Sequence, residues 1–146
     1  MWQLVFACLM TIASITLAQV ETAKARLLLA RMEIQHSALT IEQMATFGSA
    51  YAHANPSAAG AIGFAAAGAP AWFVAPPGAQ VFVNAGTAYA VLPAANVADV
   101  AGVLGEAREH GLLIGLSSGT QLQDGTGLII GNLPAGIPAG SLVLVQ

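Results

Sequence analysis

Three histidines, His36, His53 and His110, are the side chains best suited to hold a metal or to move a proton near neutral pH, and each falls in a different part of the chain. No cysteine or carboxylate set joins them at metal-ligand spacing. They are expected to be exposed histidines at helix ends, with His110 in a last turn where a cation suits the helix dipole. A nucleophile would be sought at Ser117 or Ser118. Gly115-Leu116-Ser117-Ser118-Gly119 comes near the G-x-S-x-G pattern, but it runs into the strand-like Thr120-Gln121-Leu122, where a nucleophile elbow requires a helix. Glu106 and Glu109 stand three apart around Arg108, the spacing of one solvated helix face. The glycine-rich stretches contain no Gly-Lys-Ser/Thr, and the only lysine, Lys24, lies near the N-terminus. The sequence therefore predicts a protein with no catalytic residue, metal ligand or cofactor site and no small-molecule substrate. Trp72, Phe73, Phe82 and Tyr89 form a candidate patch for another protein, with membership of the core as the alternative for each.

The elements that position these residues follow from the remainder of the chain. Its 146 residues fit one modest domain plus an appendage. Charged residues are 8% of the chain and mean hydropathy is +0.72, yet the excess comes from Ala, Gly and Val spread throughout, and only the N-terminal run is free of charge for long enough to span a bilayer. From Ala38 onward five carboxylates face one cation, Arg108, a net charge of −4. Nucleic acid, which needs a basic face to displace counterions, is excluded. Cys8 is the only cysteine, so no internal disulfide can form. The tetrapeptide ending at Cys8 resembles a lipoprotein cleavage box only weakly, because Phe6 is bulky and little apolar sequence precedes it.

Met1 to Ala18 carry no charge, and as a helix they span about 27 Å, close to the hydrocarbon thickness. Trp2, Leu4, Val5, Phe6, Leu9, Ile12, Ile15 and Leu17 are the predicted membrane-facing side chains. Strong helix formers continue through Glu33, which predicts one helix of about 30 residues. Three readings of this run are open. A cleaved signal fits Thr16-Leu17-Ala18 as a cutting site but lacks a basic start. A type IV pilin tail would need a Gly before the run and a Glu at its fifth position, where Val5 stands. A permanent signal anchor meets neither objection, although Lys24, Arg26 and Arg31 after the span would hold that side in the cytoplasm under the positive-inside rule.

A second helix is expected from Thr40-Ile41-Glu42-Gln43, a capping box, with Ile41, Met44, Phe47 and Tyr51 as its apolar stripe and Asn55-Pro56 as its stop. The segment from Ser57 to Ala79 reads as a long ordered connection carrying Trp72 and Phe73. Val81 to Leu92 reads as a β-hairpin turning through Asn-Ala-Gly. Asn96 is expected to cap a third helix, with Asp99 in its first turn, with Val97, Val100, Val103, Leu104 and Ala107 buried, and with Gly111 as its end. LLIGLSS, QLQ, TGLII and SLVLV follow as strands. The predicted fold class is α+β: an N-terminal transmembrane helix continuing into a soluble helix, then a small antiparallel sheet with helices on one side. Residues 1–35 are the expected anchor and continuing helix, and residues 36–146 the soluble domain.

An uncharged span running into a helix, then FGSAYAHANPSAAG, then PAWF, and finally LPAGIPAGSLVLV, resembles the PilM family of type IVB thin-pilus proteins. Phe47, Tyr51, Asn55, Pro56 and Gly60 match the first motif, and Ile137, Pro138, Gly140 and Ser141 the last. The resemblance implies a single-pass protein of the bacterial inner membrane, with its C-terminal domain in the periplasm. Its implied role is scaffolding among other pilus assembly proteins, in the basal body or in pilin transport. The alternatives are a secreted or periplasmic binding module that recognises a ligand through Trp72 and Phe73, and a minor pilin-like subunit.

Overall fold

The computed structural model describes the backbone of residues 2–146 and the side chains of residues 19–146. It divides into two compact units, Met1–Glu33 and Ile34–Gln146. Helix α1 spans Trp2–Ala54, 53 residues without a break, where a helix of about 30 residues and a separate second helix were expected. No Gly or Pro interrupts residues 34–47, so nothing stops the hydrogen-bond ladder at Thr40. The Thr40 hydroxyl caps nothing; it donates to the carbonyl of His36 at 2.8 Å, one turn back. His36 accordingly lies within the helix and not at a helix end. The helix stops as expected before Pro56, where the Asn55 amide closes on Tyr51 O at 2.9 Å.

In the first unit every side chain from Gln19 to Glu33 is exposed, including Leu27, Leu28, Leu29 and Met32. Among the described residues no helix is long and apolar enough to cross a membrane. The expected span, its membrane-facing side chains from Trp2 to Leu17, and Cys8 lie outside the residues whose side chains are described.

The second unit contains a seven-stranded antiparallel sheet in the order β1-β2-β3-β7-β4-β5-β6. Its strands are β1 Ala59–Ile62, β2 Gln80–Asn84, β3 Thr87–Pro93, β4 Leu113–Ser117, β5 Gln121–Gln123, β6 Ile129–Asn132 and β7 Ser141–Val145. Strand β1 lies inside the segment expected to be a connection. Only Ile62 in it is β-branched, and it is held at the sheet edge by register with β2, Ala59 opposite Asn84 through Ile62 opposite Val81. The β2–β3 hairpin matches the expected alternation, and its two-residue turn sets Ala85 at φ +48° and Gly86 at φ +81°. Ala85 is the only non-glycine with positive φ among the described residues. Its left-handed conformation costs about 1 kcal/mol that glycine does not incur. Ala85→Gly is therefore expected to raise stability by about 0.5–1 kcal/mol, read as a higher thermal midpoint.

Alternation places the two sheet faces in different environments. Val81, Ala90, Leu92, Ile114, Leu142 and Leu144 meet Ile41, Met44 and Ala45 of α1, and also Val103, Leu104 and Ala107 of the second helix, in one core. Phe82, Val91 and Val143 point the other way and cluster with Leu122 of β5 and with Leu133 and Ile137 of the β6–β7 loop, so a loop and not a helix covers that face. The second helix, α2, spans Val100–Glu109. Its cap is Asp99, whose Oδ1 accepts the Gly102 amide at 2.9 Å, and not Asn96. Val97 is extended, at φ −113° and ψ 119°, so the helix cannot begin there. Asn96 sits in a 3-10 turn, Ala94–Asn96, and its Nδ2 donates to Pro77 O at 2.6 Å. Gly111, at φ +73°, closes α2 as expected.

Candidate functional site

The residues with chemical potential are kept apart. His36, His53 and His110 are all exposed, on α1, at its end and at the C-cap of α2 respectively. His110 Nε2 lies 3.8 Å from Glu106 Oε1, one turn back on α2. Among the described residues no three His, Cys, Asp or Glu side chains converge as metal ligands. Ser117 is buried, and its hydroxyl oxygen accepts the Gly119 amide at 3.0 Å, so it holds a turn. Ser118 is exposed and its hydroxyl donates to Gln121 O at 3.3 Å.

Asp124 is the one carboxylate with a dense set of partners. Its Oδ1 accepts the Thr126 hydroxyl at 2.7 Å, the Thr126 amide at 2.8 Å and the Leu128 amide at 2.9 Å. The Thr126 hydroxyl foremost, then the Leu128 and Thr126 amides and the charge of Arg108, hold its pKa below the ordinary aspartate value. A depressed folded-state pKa adds stability that is fully present above the unfolded value and is lost as pH falls through the folded one. Wild type is thus expected to exceed Asp124→Asn in urea midpoint near pH 7, and the gap is expected to narrow below about pH 4.

The four aromatic candidates do not form one patch. Phe82 is buried beneath the loop side of the sheet, and half-buried Tyr89 packs beside it, the core alternative for both. Phe73 packs on the helix side, edge-on to Phe47 at 5.2 Å between centroids and tilted on Phe64 at 5.4 Å. Trp72 is 70% exposed and its neighbour Val74 85%. The loop is therefore pinned by Phe73 and displays the side chains on either side of it. Beside it a cleft of about 190 Å³ is lined by Trp72, Phe73, Val74 and Pro76 from the loop and by His36, Thr40 and Gln43 from α1. Val74 was not singled out in the sequence; Trp72 sits in a turn that the Phe73 amide closes on Pro70 O at 2.9 Å, and Val74 follows it.

A second concavity, of about 410 Å³, runs between α1 and α2. Gln35, Ala38, Leu39 and Glu42 line it from α1, Glu106 and Ala107 from α2, and His110 and Leu112 from the chain that follows α2. None of these was marked as a contact residue in the sequence, because the groove exists only once α1 continues past Thr40 beside α2.

A wholly antiparallel seven-stranded sheet, covered on one face by two helices and on the other by a loop, and bearing an exposed aromatic loop beside the longer helix, defines a small α+β domain whose display surface is apolar. The chain belongs to the PilM family, whose model matches residues 7–145. It is therefore a pilus-related protein. Among solved structures it is similar to a pilM protein from Pseudomonas aeruginosa 2192, at 31% identity over 77% of this chain and 92% of that one, with a TM-score of 0.45. It is also similar to a PilM protein from Escherichia coli B7A, at 21% identity over 77% of this chain and 94% of that one, again with a TM-score of 0.45. No curated protein matches the chain.

Proposed function

We propose that this protein is a non-enzymatic scaffold of a type IVB pilus assembly apparatus, anchored in the bacterial inner membrane by its N-terminal run, with residues 36–146 in the periplasm. Family membership over nearly the whole chain supports it most directly. The uncharged residues 1–18 supply the anchor, since as a helix they match the hydrocarbon thickness of about 30 Å. The exposed Trp72 and Val74, flanking the partly buried Phe73 that packs on Phe47 and Phe64, supply a contact for other pilus assembly proteins.

Exposed aromatic anchors contribute to binding without contributing much to folding. Trp72→Ala is expected to shift the unfolding free energy by less than about 0.5 kcal/mol while weakening capture of pilus proteins at least about tenfold. The check is crosslinking in cells that carry the pilus system, followed by purification of the tagged full-length chain. Recovery of pilus proteins with wild type and their loss with Trp72→Ala is the expected result; equal recovery from both would remove Trp72 from the interface.

A further inference from the structure

The groove between α1 and α2 brings apolar and acidic side chains together. Its apolar lining is Ala38, Leu39, Ala107 and Leu112, and Leu39 is 57% exposed. Glu42 of α1 and Glu106 of α2 line the groove as well, together with Gln35 and His110. From Ala38 to the C-terminus there are only five carboxylates and a single Lys or Arg, so two carboxylates beside one apolar concavity is a marked concentration. The single guanidinium, Arg108, acts on Asp124. Among the described residues Glu42 has no ion pair, and Glu106 has only His110 at 3.8 Å. The groove has a volume of about 410 Å³.

We propose that this groove receives a helical segment of another pilus assembly protein, one that presents aliphatic side chains flanked by Lys or Arg; this deepens the proposed function and rests on it. Both walls are α-helices whose backbone donors are already used, so a strand has no edge to add to and recognition must proceed through side chains, as when an amphipathic helix lies in a groove. The carboxylates of Glu42 and Glu106 favour cations at the margins of that helix.

A second copy of this chain would be the obvious donor, because Lys24, Arg26 and Arg31 flank the exposed Leu27, Leu28 and Leu29. Its geometry is unfavourable. That stretch is centred on residue 28 and the groove on Leu39, 11 residues further along the sequence. Copies anchored at one depth in one membrane would have to slide past each other by that distance. A different chain has no such constraint.

The test replaces Leu39, and separately Leu112, by a photo-crosslinking amino acid in the full-length chain, in cells carrying the pilus system, and maps the adducts by mass spectrometry. Adducts to another pilus protein are expected, at a segment with apolar residues three and four apart and Lys or Arg beside them. Their yield is expected to fall about tenfold or more in the double variant Glu42→Lys with Glu106→Lys, whose thermal midpoint checks that it still folds. Adducts to a second copy, adducts to an acidic or extended segment, unchanged yield in the double variant, or no adduct at all would each overturn the proposal. Membrane fractionation of the same cells separates this failure from failure of the scaffold function, because an anchored chain without groove adducts loses only the groove.

Discussion

Gly115→Ala is expected to lower the stability of the domain by about 3 kcal/mol, a fall of roughly 10 °C in thermal midpoint. Gly115 is a buried residue of β4, paired with Val143 of β7. A methyl group at this position would lie against the backbone carbonyl of Gln123 and 2.9 Å from Leu122 Cγ. The obstacle is main chain of the next strand, β5, held by the β4–β5 ladder, so it cannot rotate aside as a flexible side chain would. Relief requires moving β5, and β5 carries Leu122, which closes the loop-covered face over Val143 and Ile137. The same change at Gly105, where nothing lies within 4 Å of the added methyl, is expected to stabilise α2 by about 0.5–1 kcal/mol through helix propensity. Opposite signs from one chemical change at two glycines would be read directly from thermal unfolding.

Met44→Ala is expected to cost about 3 kcal/mol by removing a fully buried side chain from the core between α1 and the sheet. Met44 lies between Ile41 and Gly48 on one face of the helix, and Gly48 brings the helix backbone close, since a methyl there would stand 2.6 Å from Val81 Cγ1 and 3.0 Å from Ala88 Cβ. Close approach of this kind leaves the helix little room to settle into a cavity, which places the cost above that of a collapsible site. Met32→Ala, three turns earlier and exposed, is expected to change stability by less than about 0.5 kcal/mol. Urea unfolding of the full-length variants in detergent compares the two.

Much of this architecture is legible in local chemistry. The Val81 to Leu92 hairpin, the apolar stripe of Ile41 and Met44, the Gly111 stop and the C-terminal SLVLV strand all follow from side-chain period and turn residues, and each is found in place. The features that escaped depend on competition between local signals. Thr40 is a good cap in isolation, but a cap is needed only where a helix begins, and unbroken helix formers on both sides turned its hydroxyl to His36. Asn96 and Asp99 both suit a helix start, and the extended Val97 between them decided for Asp99. Strand β1 has no propensity signal in Ala59-Gly60-Ala61 and exists because β2 offers it an edge.

The candidate site was harder to read for the same reason. The adjacent aromatics Trp72 and Phe73 stand out in the sequence, but only packing shows that Phe73 is the pin and Trp72 the displayed side chain. Phe82 and Tyr89 belong with the opposite face because strand alternation sends Phe82 away from Val81. The groove at Leu39 and Glu42 joins residues more than sixty positions apart from Glu106 and Leu112, a distance no local pattern spans.

Protease accessibility of a C-terminally tagged full-length chain in spheroplasts tests the anchored periplasmic scaffold most directly. The expected result is a tag digested in intact spheroplasts, in a chain that is uncut before protease treatment and sediments with membranes. A tag protected until the membrane is lysed would contradict the periplasmic orientation, in keeping with the positive charges at Lys24, Arg26 and Arg31. A shortened chain released in soluble form would contradict the anchor itself and make the opening segment a cleaved signal.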